Sequence, residues 1–129
     1  MFLRLEYQIK GVKKMLYNFE ERYNKLIEKD GTSEGDTERK TLFYILAGNT
    51  DLYAKADHIY NFKERLITPE CLEGETIDLC SSSRKLVKLA YNLFNSFPAD
   101  VIDTFYVLDE DNFNLALNAI KLRFNKTTI

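Results

Sequence analysis

Residues 5–29 read LEYQIKGVKKMLYNFEERYNKLIEK, and their spacing decides the fold class. Leu5, Ile9, Val12, Leu16, Phe19, Tyr23 and Leu26 recur in alternating steps of four and three. That spacing lines them up as one apolar stripe on a helix from about Leu5 to Lys29. Glu21 and Lys25 fall on the wetter side as a helix-supporting pair. Gly11 is a weak point, worth about 1 kcal/mol against alanine.

Working outward, Asp30–Gly35 (DGTSEG) is a polar break containing two glycines. Asp36 or Thr37 caps a second helix through Leu42, Phe43, Ile45 and Leu46, which stops at Gly48. Asn49, Thr50 and Asp51 supply caps for a third, running through Leu52, Ile59 and Phe62. Thr68-Pro69 predicts a one-turn helix over Pro69 to Glu73, ended by Gly74. The serines 81–83 offer caps for a helix through Asn95 with Leu86, Leu89, Ala90, Leu93 and Phe94 inward. Pro98 opens the next, with Val101, Ile102 and Phe105 inward. Asp109 caps the last helix (Glu110 to Phe124), where Leu108 and Phe113 form a hydrophobic staple. This helix has apolar residues on two faces, Leu117 and Ile120 on one of them, and is expected at the centre of the domain. No segment alternates convincingly as a strand; Thr104 to Leu108 (TFYVL) is the best competitor. The expectation is an all-α fold, a single compact bundle of five or six helices with short connections. Residues 15–129 make the helical domain, and residues 1–14 an N-terminal extension of the first helix.

The chain has 129 residues, 45% hydrophobic and 29% charged, a balance that supports a folded core rather than disorder. A net charge of -2 argues against a polyanion mimic and against a basic nucleic-acid binder. No stretch approaches the ~20 apolar residues that span a bilayer. The first residues lack a continuous apolar run and a small-residue cleavage site, which points to the cytoplasm and away from a membrane. Cys71 and Cys80 form no CxxC pair, and His58 is the sole histidine. Two free thiols are the default, and a disulfide would need an oxidising compartment.

No catalytic residue, metal set or cofactor motif stands out. His58 lies beside Asp57, but on a helix the two point about 100° apart. Cys80 with Ser81, Ser82 and Ser83 precedes a helix, where an anion could bind and a thiol could ionise; the run lacks the glycines of a phosphate loop, and serines there are ordinarily caps. Asp109, Glu110 and Asp111 fit the first turn of a helix without any further role. Arg84, Lys85, Lys88, Lys121, Arg123 and Lys126 would form a basic face if their two helices pack together, with Tyr91 near enough to stack on a base. The stripe Leu5, Ile9, Val12, Leu16, Phe19, Tyr23 could pair with a second copy, although Phe19 and Tyr23 are bulky for such a seam and packing on the chain's own body is favoured.

Several runs are similar to DUF6075, a bacterial family of unknown function seen mainly in clostridia and related Firmicutes. They are Asp36–Asn49, Asp51–Tyr53, His58–Tyr60, Pro69–Gly74, Ile77–Ser83, Leu108–Asn112 and Leu117–Ile120, within a span from Tyr17 to Phe124. The resemblance implies no activity and carries over no catalytic residue. Such proteins tend to begin near Tyr17-Asn18-Phe19, which makes residues 1–14 here an extension or an upstream start. The reading favoured is a non-enzymatic protein-binding or accessory protein, of a bacterial mobile element for instance. A nucleic-acid-binding regulator and a small-ligand or anion binder at Cys80–Ser83 are the alternatives.

Overall fold

The structure, a computed structural model, describes residues 10–74 and 77–127, with side chains from Asn18 onward. It is mostly α-helical: α1 (Lys10–Asp30), α2 (Thr37–Gly48), α3 (Thr50–Ala54), α4 (Ala56–Ile59), α5 (Ser81–Asn95), α6 (Val101–Tyr106) and α7 (Glu110–Arg123). A 3-10 turn spans Pro69–Leu72. The all-α bundle with short connections holds, with one exception. The expected third helix breaks into α3 and α4 and then enters a small antiparallel ladder, β1 (Tyr60–Asn61) with β2 (Leu66–Ile67), paired Tyr60 with Ile67 and Asn61 with Leu66. Phe62 lies in the connecting turn, stacked on Phe43 at 5.7 Å.

The turn has a local cause. The Asn61 side-chain oxygen accepts from the backbone N–H of Lys63 and Glu64, at 3.0 and 2.9 Å. An asparagine folding its own downstream backbone in this way competes with helix continuation. Arg65 then takes φ 58, a left-handed conformation uncommon outside glycine.

Helix α2 is the centre. Thr41, Leu42, Phe43, Ile45, Leu46 and Ala47 are all buried, so the helix is apolar nearly all the way round. A helix of that kind must be covered on every side. Asp36 caps it, accepting from the Arg39 N–H at 3.1 Å. Helix α1 runs antiparallel beside it, with Phe19 edge-on to Tyr44 at 4.9 Å and Leu26 buried. Helix α7 also runs antiparallel: Asn49 donates to Asn112 at 3.1 Å, and Leu115 packs on Gly48. A Cβ at Gly48 would fall inside the Leu115 side chain, so glycine there serves the close approach as much as the helix end. Helix α5 covers a third side, with Leu86, Val87, Ala90 and Tyr91 fully buried. The hairpin and α3–α4 close the fourth.

Several inward assignments need correction. The last helix is peripheral: only Ala116 and Ala119 are buried, and Leu117 and Ile120 are half-buried. It packs through small side chains, which let it approach α2 closely. Tyr91, offered as a base-stacking residue, is fully buried; its hydroxyl donates to the Ile59 carbonyl at 2.6 Å. Phe94 is half-buried, over which the Arg39 guanidinium sits. Pro98 lies before α6, which starts at Val101 with Asp100 as its cap. Val101 and Ile102 face outward, and TFYVL contributes to helix rather than strand. The serines occupy the first turn of α5, and the cap position belongs to Cys80.

One polar cluster is built into the bundle. The Asp30 carboxylate, at the end of α1, receives two hydrogen bonds from the Arg65 guanidinium at 3.0 Å each and one from the Tyr60 hydroxyl at 2.7 Å. Arg39 donates to Tyr60 at 2.9 Å and to the Arg65 carbonyl at 2.8 Å, and pairs with Asp36 at 3.0 Å. Burial by itself would raise the Asp30 pKa, but the bonds from Arg65, Thr32 and Tyr60 outweigh it and hold the carboxyl below its ordinary value of 3.8. The left-handed Arg65 thus delivers its side chain to a carboxylate on another element.

Two outcomes follow. Leu46→Ala should lower unfolding free energy by about 2–5 kcal/mol in urea titration, whereas Leu117→Ala, at a half-buried site, should lose less than half as much. Asp30→Asn should destabilise by about 2–4 kcal/mol at neutral pH, having left Arg65 and Tyr60 without their acceptor. Because the folded-state pKa is depressed, the ionised carboxylate stabilises the fold above pH ~4, and that stabilisation is lost as pH falls through the folded value. Denaturation curves of the wild type and Asp30→Asn should therefore converge in acid.

Candidate interaction surface

The sequence-derived candidates lie in separate places. His58 is exposed at the end of α4; its neighbour Asp57 pairs with Lys29 at 2.6 Å and makes no dyad with it. Cys71 is buried, with its sulfur 3.2 Å from the Tyr91 hydroxyl; burial pushes its thiol up. Cys80 is exposed and free, and Cys71 is free as well. Among the described residues, no group of three or more His, Cys, Asp or Glu could hold a metal.

At the start of α5, Cys80 Sγ lies 3.4 Å from Ser82 Oγ and donates to Ser83 Oγ at 3.3 Å. These hydroxyls and the helix's first backbone N–H groups bring the thiol down to about 7. Ser83 is buried and also donates to Asp51 Oδ2 at 3.1 Å. Asp51 pairs with Lys55 at 2.8 Å, and Lys55 reaches back to the Asp78 carbonyl. The anion facing this helix end is therefore the chain's own Asp51. An external anion at Ser81, Ser82 and Ser83 would meet that carboxylate, which already accepts the Ser83 hydroxyl. Asp51, 32 residues away in sequence, was the partner that local reasoning missed.

The basic residues are largely engaged within the fold. Arg84 donates to the Leu72 carbonyl at 2.5 Å, Lys85 pairs with Asp103 at 2.5 Å, and Arg123 donates to the Leu93 carbonyl at 2.7 Å. Lys88 and Lys121 are half-buried. Of the proposed dimer stripe, Phe19 and Tyr23 pack inward around Tyr44. Leu5 and Ile9 lie outside the described residues, and Val12 and Leu16 lie in α1 with their side chains outside the description. A shallow groove of about 460 Å³ between α1 and α7 is lined by Phe19, Tyr23, Ile27, Tyr44 and Leu122 among others.

A surface that the sequence reading had placed inside carries the strongest signal. On α6, Val101, Ile102 and Tyr106 are 70%, 75% and 83% exposed. Ile102 and Tyr106 are one turn apart and share a face. Phe105 continues the apolar surface inward and packs edge-on against Phe113 of α7 at 5.2 Å; Phe113 is itself 41% exposed. Asp100 caps α6, Asp103 lies on it, and Asp109, Glu110 and Asp111 open α7; all five are exposed. Between Lys88 and Lys121 the sequence contains no basic residue. The result is an apolar face on a six-residue helix that packs against α5, buries Thr104 and is flanked in sequence by exposed carboxylates.

A family model, DUF6075, described as a family of unknown function, matches residues 12–128. No curated protein and no solved structure matches the chain. Among the described residues, no helix is long and apolar enough to cross a membrane.

The thiol chemistry is checkable. Alkylation by iodoacetamide should label Cys80 and spare Cys71 in the native protein, and the rate should rise with pH through a midpoint of about 7. Ser83→Ala should move that midpoint up toward the ordinary thiol value of 9.0. Equal labelling of both cysteines in the folded protein would contradict the geometry.

Proposed function

We propose that this chain, which belongs to the DUF6075 family of unknown function, is a non-enzymatic protein-binding module that docks its partner on the apolar face of α6. The setting proposed is the cytoplasm of a bacterium of the Firmicutes, where it acts as an accessory protein, for instance of a mobile element. The observation that carries the reading is the exposure of Val101, Ile102 and Tyr106 together on one short helix. Scattered single apolar residues need no explanation, but three on one surface, continued by Phe113, mark an interaction site. The residue types suit the role, since Tyr and Phe are enriched at the centres of protein interfaces.

The competing readings have less support. An anion ligand at Cys80–Ser83 would face Asp51. A nucleic-acid surface would have to draw on Arg84, Lys85 and Arg123, which already bond within the fold.

The test places a photoreactive benzoylphenylalanine at position 106 in the full chain and irradiates it in extract of the native host. The expected result is a discrete protein adduct, of whatever identity, that is absent when the same group is placed at Glu64. No adduct at position 106, or equal labelling at both positions, would contradict a docking role for this face.

A further inference from the structure

We infer that the occupant of the α6 face is a second copy of this chain, contributing its N-terminal residues 1–14; this rests on the reading of that face as a docking surface. The first argument is charge. Residues 1–14 carry Arg4, Lys10, Lys13 and Lys14 against a single carboxylate, Glu6. The cap of α6 and the start of α7 carry Asp100, Asp109, Glu110 and Asp111, none of which takes part in an ion pair among the described residues, while Asp103 is already held by Lys85. A cationic segment thus meets exposed carboxylates. The second argument is apolar content. Phe2, Leu3, Leu5 and Ile9 give the segment the side chains that Val101, Ile102 and Tyr106 would bury.

The third argument is position. In the antiparallel α1–α2 pair Phe19 sits opposite Tyr44, and α2 ends four residues later at Gly48. In that antiparallel pair residues 10–14 of α1 lie toward the C-terminal end of α2. That end of the bundle is the one holding Asn49 and Asn112, next to the acidic start of α7. Two copies can satisfy each other reciprocally, the segment of each on the α6 face of the other, in a closed two-fold pair.

Sedimentation velocity on full-length chains tests this, using the wild type, Ile102→Asp/Tyr106→Asp and Leu5→Asp/Ile9→Asp. The wild type should be a dimer that weakens as salt is raised. Both double variants should self-associate at least about tenfold more weakly, the loss typical of central interface anchors. Excess synthetic peptide of residues 1–14 should convert wild-type dimer to peptide-bound monomer, a readout that needs no variant to fold. A monomeric wild type, a dimer that survives either double variant, or a dimer indifferent to the peptide would overturn the inference. If the position-106 crosslink then captures a different protein, the docking reading stands and only the second copy is wrong as its occupant.

Discussion

The constraint on which the rest depends is the apolar character of α2 on nearly every side. Leu42, Phe43, Ile45 and Leu46 leave no face of the helix that water could cover without cost. Three helices, α1, α5 and α7, and the α3–α4–hairpin segment supply the four walls. Each wall meets α2 in its own way: aromatic edges from α1, small residues from α7, a broad aliphatic and tyrosine face from α5. Once the four walls are in place, α6 has no access to the core except through Thr104 and Phe105. Its remaining apolar side chains are outside because the centre is already enclosed.

The wall built from the hairpin is the one that apolar packing alone does not hold. Its strands are two residues long, and such a ladder is marginal in water. Here Arg65 and Tyr60 reach the Asp30 carboxylate, and Arg39 on α2 ties Tyr60 and the Arg65 carbonyl together. Three parts of the fold meet at that cluster, which fixes the hairpin against α1 and α2. The cluster faces structure rather than a ligand, and so does the Cys80–Ser83–Asp51 arrangement at the start of α5. Of the polar groups singled out in the sequence, Cys80 and Ser83 are thus bonded within the fold, whereas the proposed docking face is apolar.

The helices were legible where a cap and a spacing agreed. Asp36, Asn49 and Asp109 each accept a backbone hydrogen bond in the position their sequence context implies. The hairpin was not legible, because Leu52, Ile59 and Phe62 continue a helical spacing. What ends the helix is the Asn61 side chain on its own backbone, together with Arg65 bonded to a carboxylate 35 residues away. The centre was misassigned because α7 carries more large apolar residues than α2 needs to touch. Its buried contacts are Ala116 and Ala119, whose small size is the signal of close packing. The α6 surface was invisible for a related reason. Val101 and Ile102 have the hydrophobicity of core residues, and only the enclosure of α2 by other elements shows that they are left over.

A bundle in which α2 is sealed while α6 is the proposed docking helix should have two kinds of backbone protection. Hydrogen exchange followed by mass spectrometry across a range of protein concentrations separates them. Amides of residues 42–48 should be the slowest to exchange at every concentration, and amides of residues 101–106 should be fast in dilute solution and slower as the protein is concentrated. Protection of residues 101–106 that matches α2 and does not change with concentration would contradict a docking role for α6, because the helix would then belong to the core of a single copy.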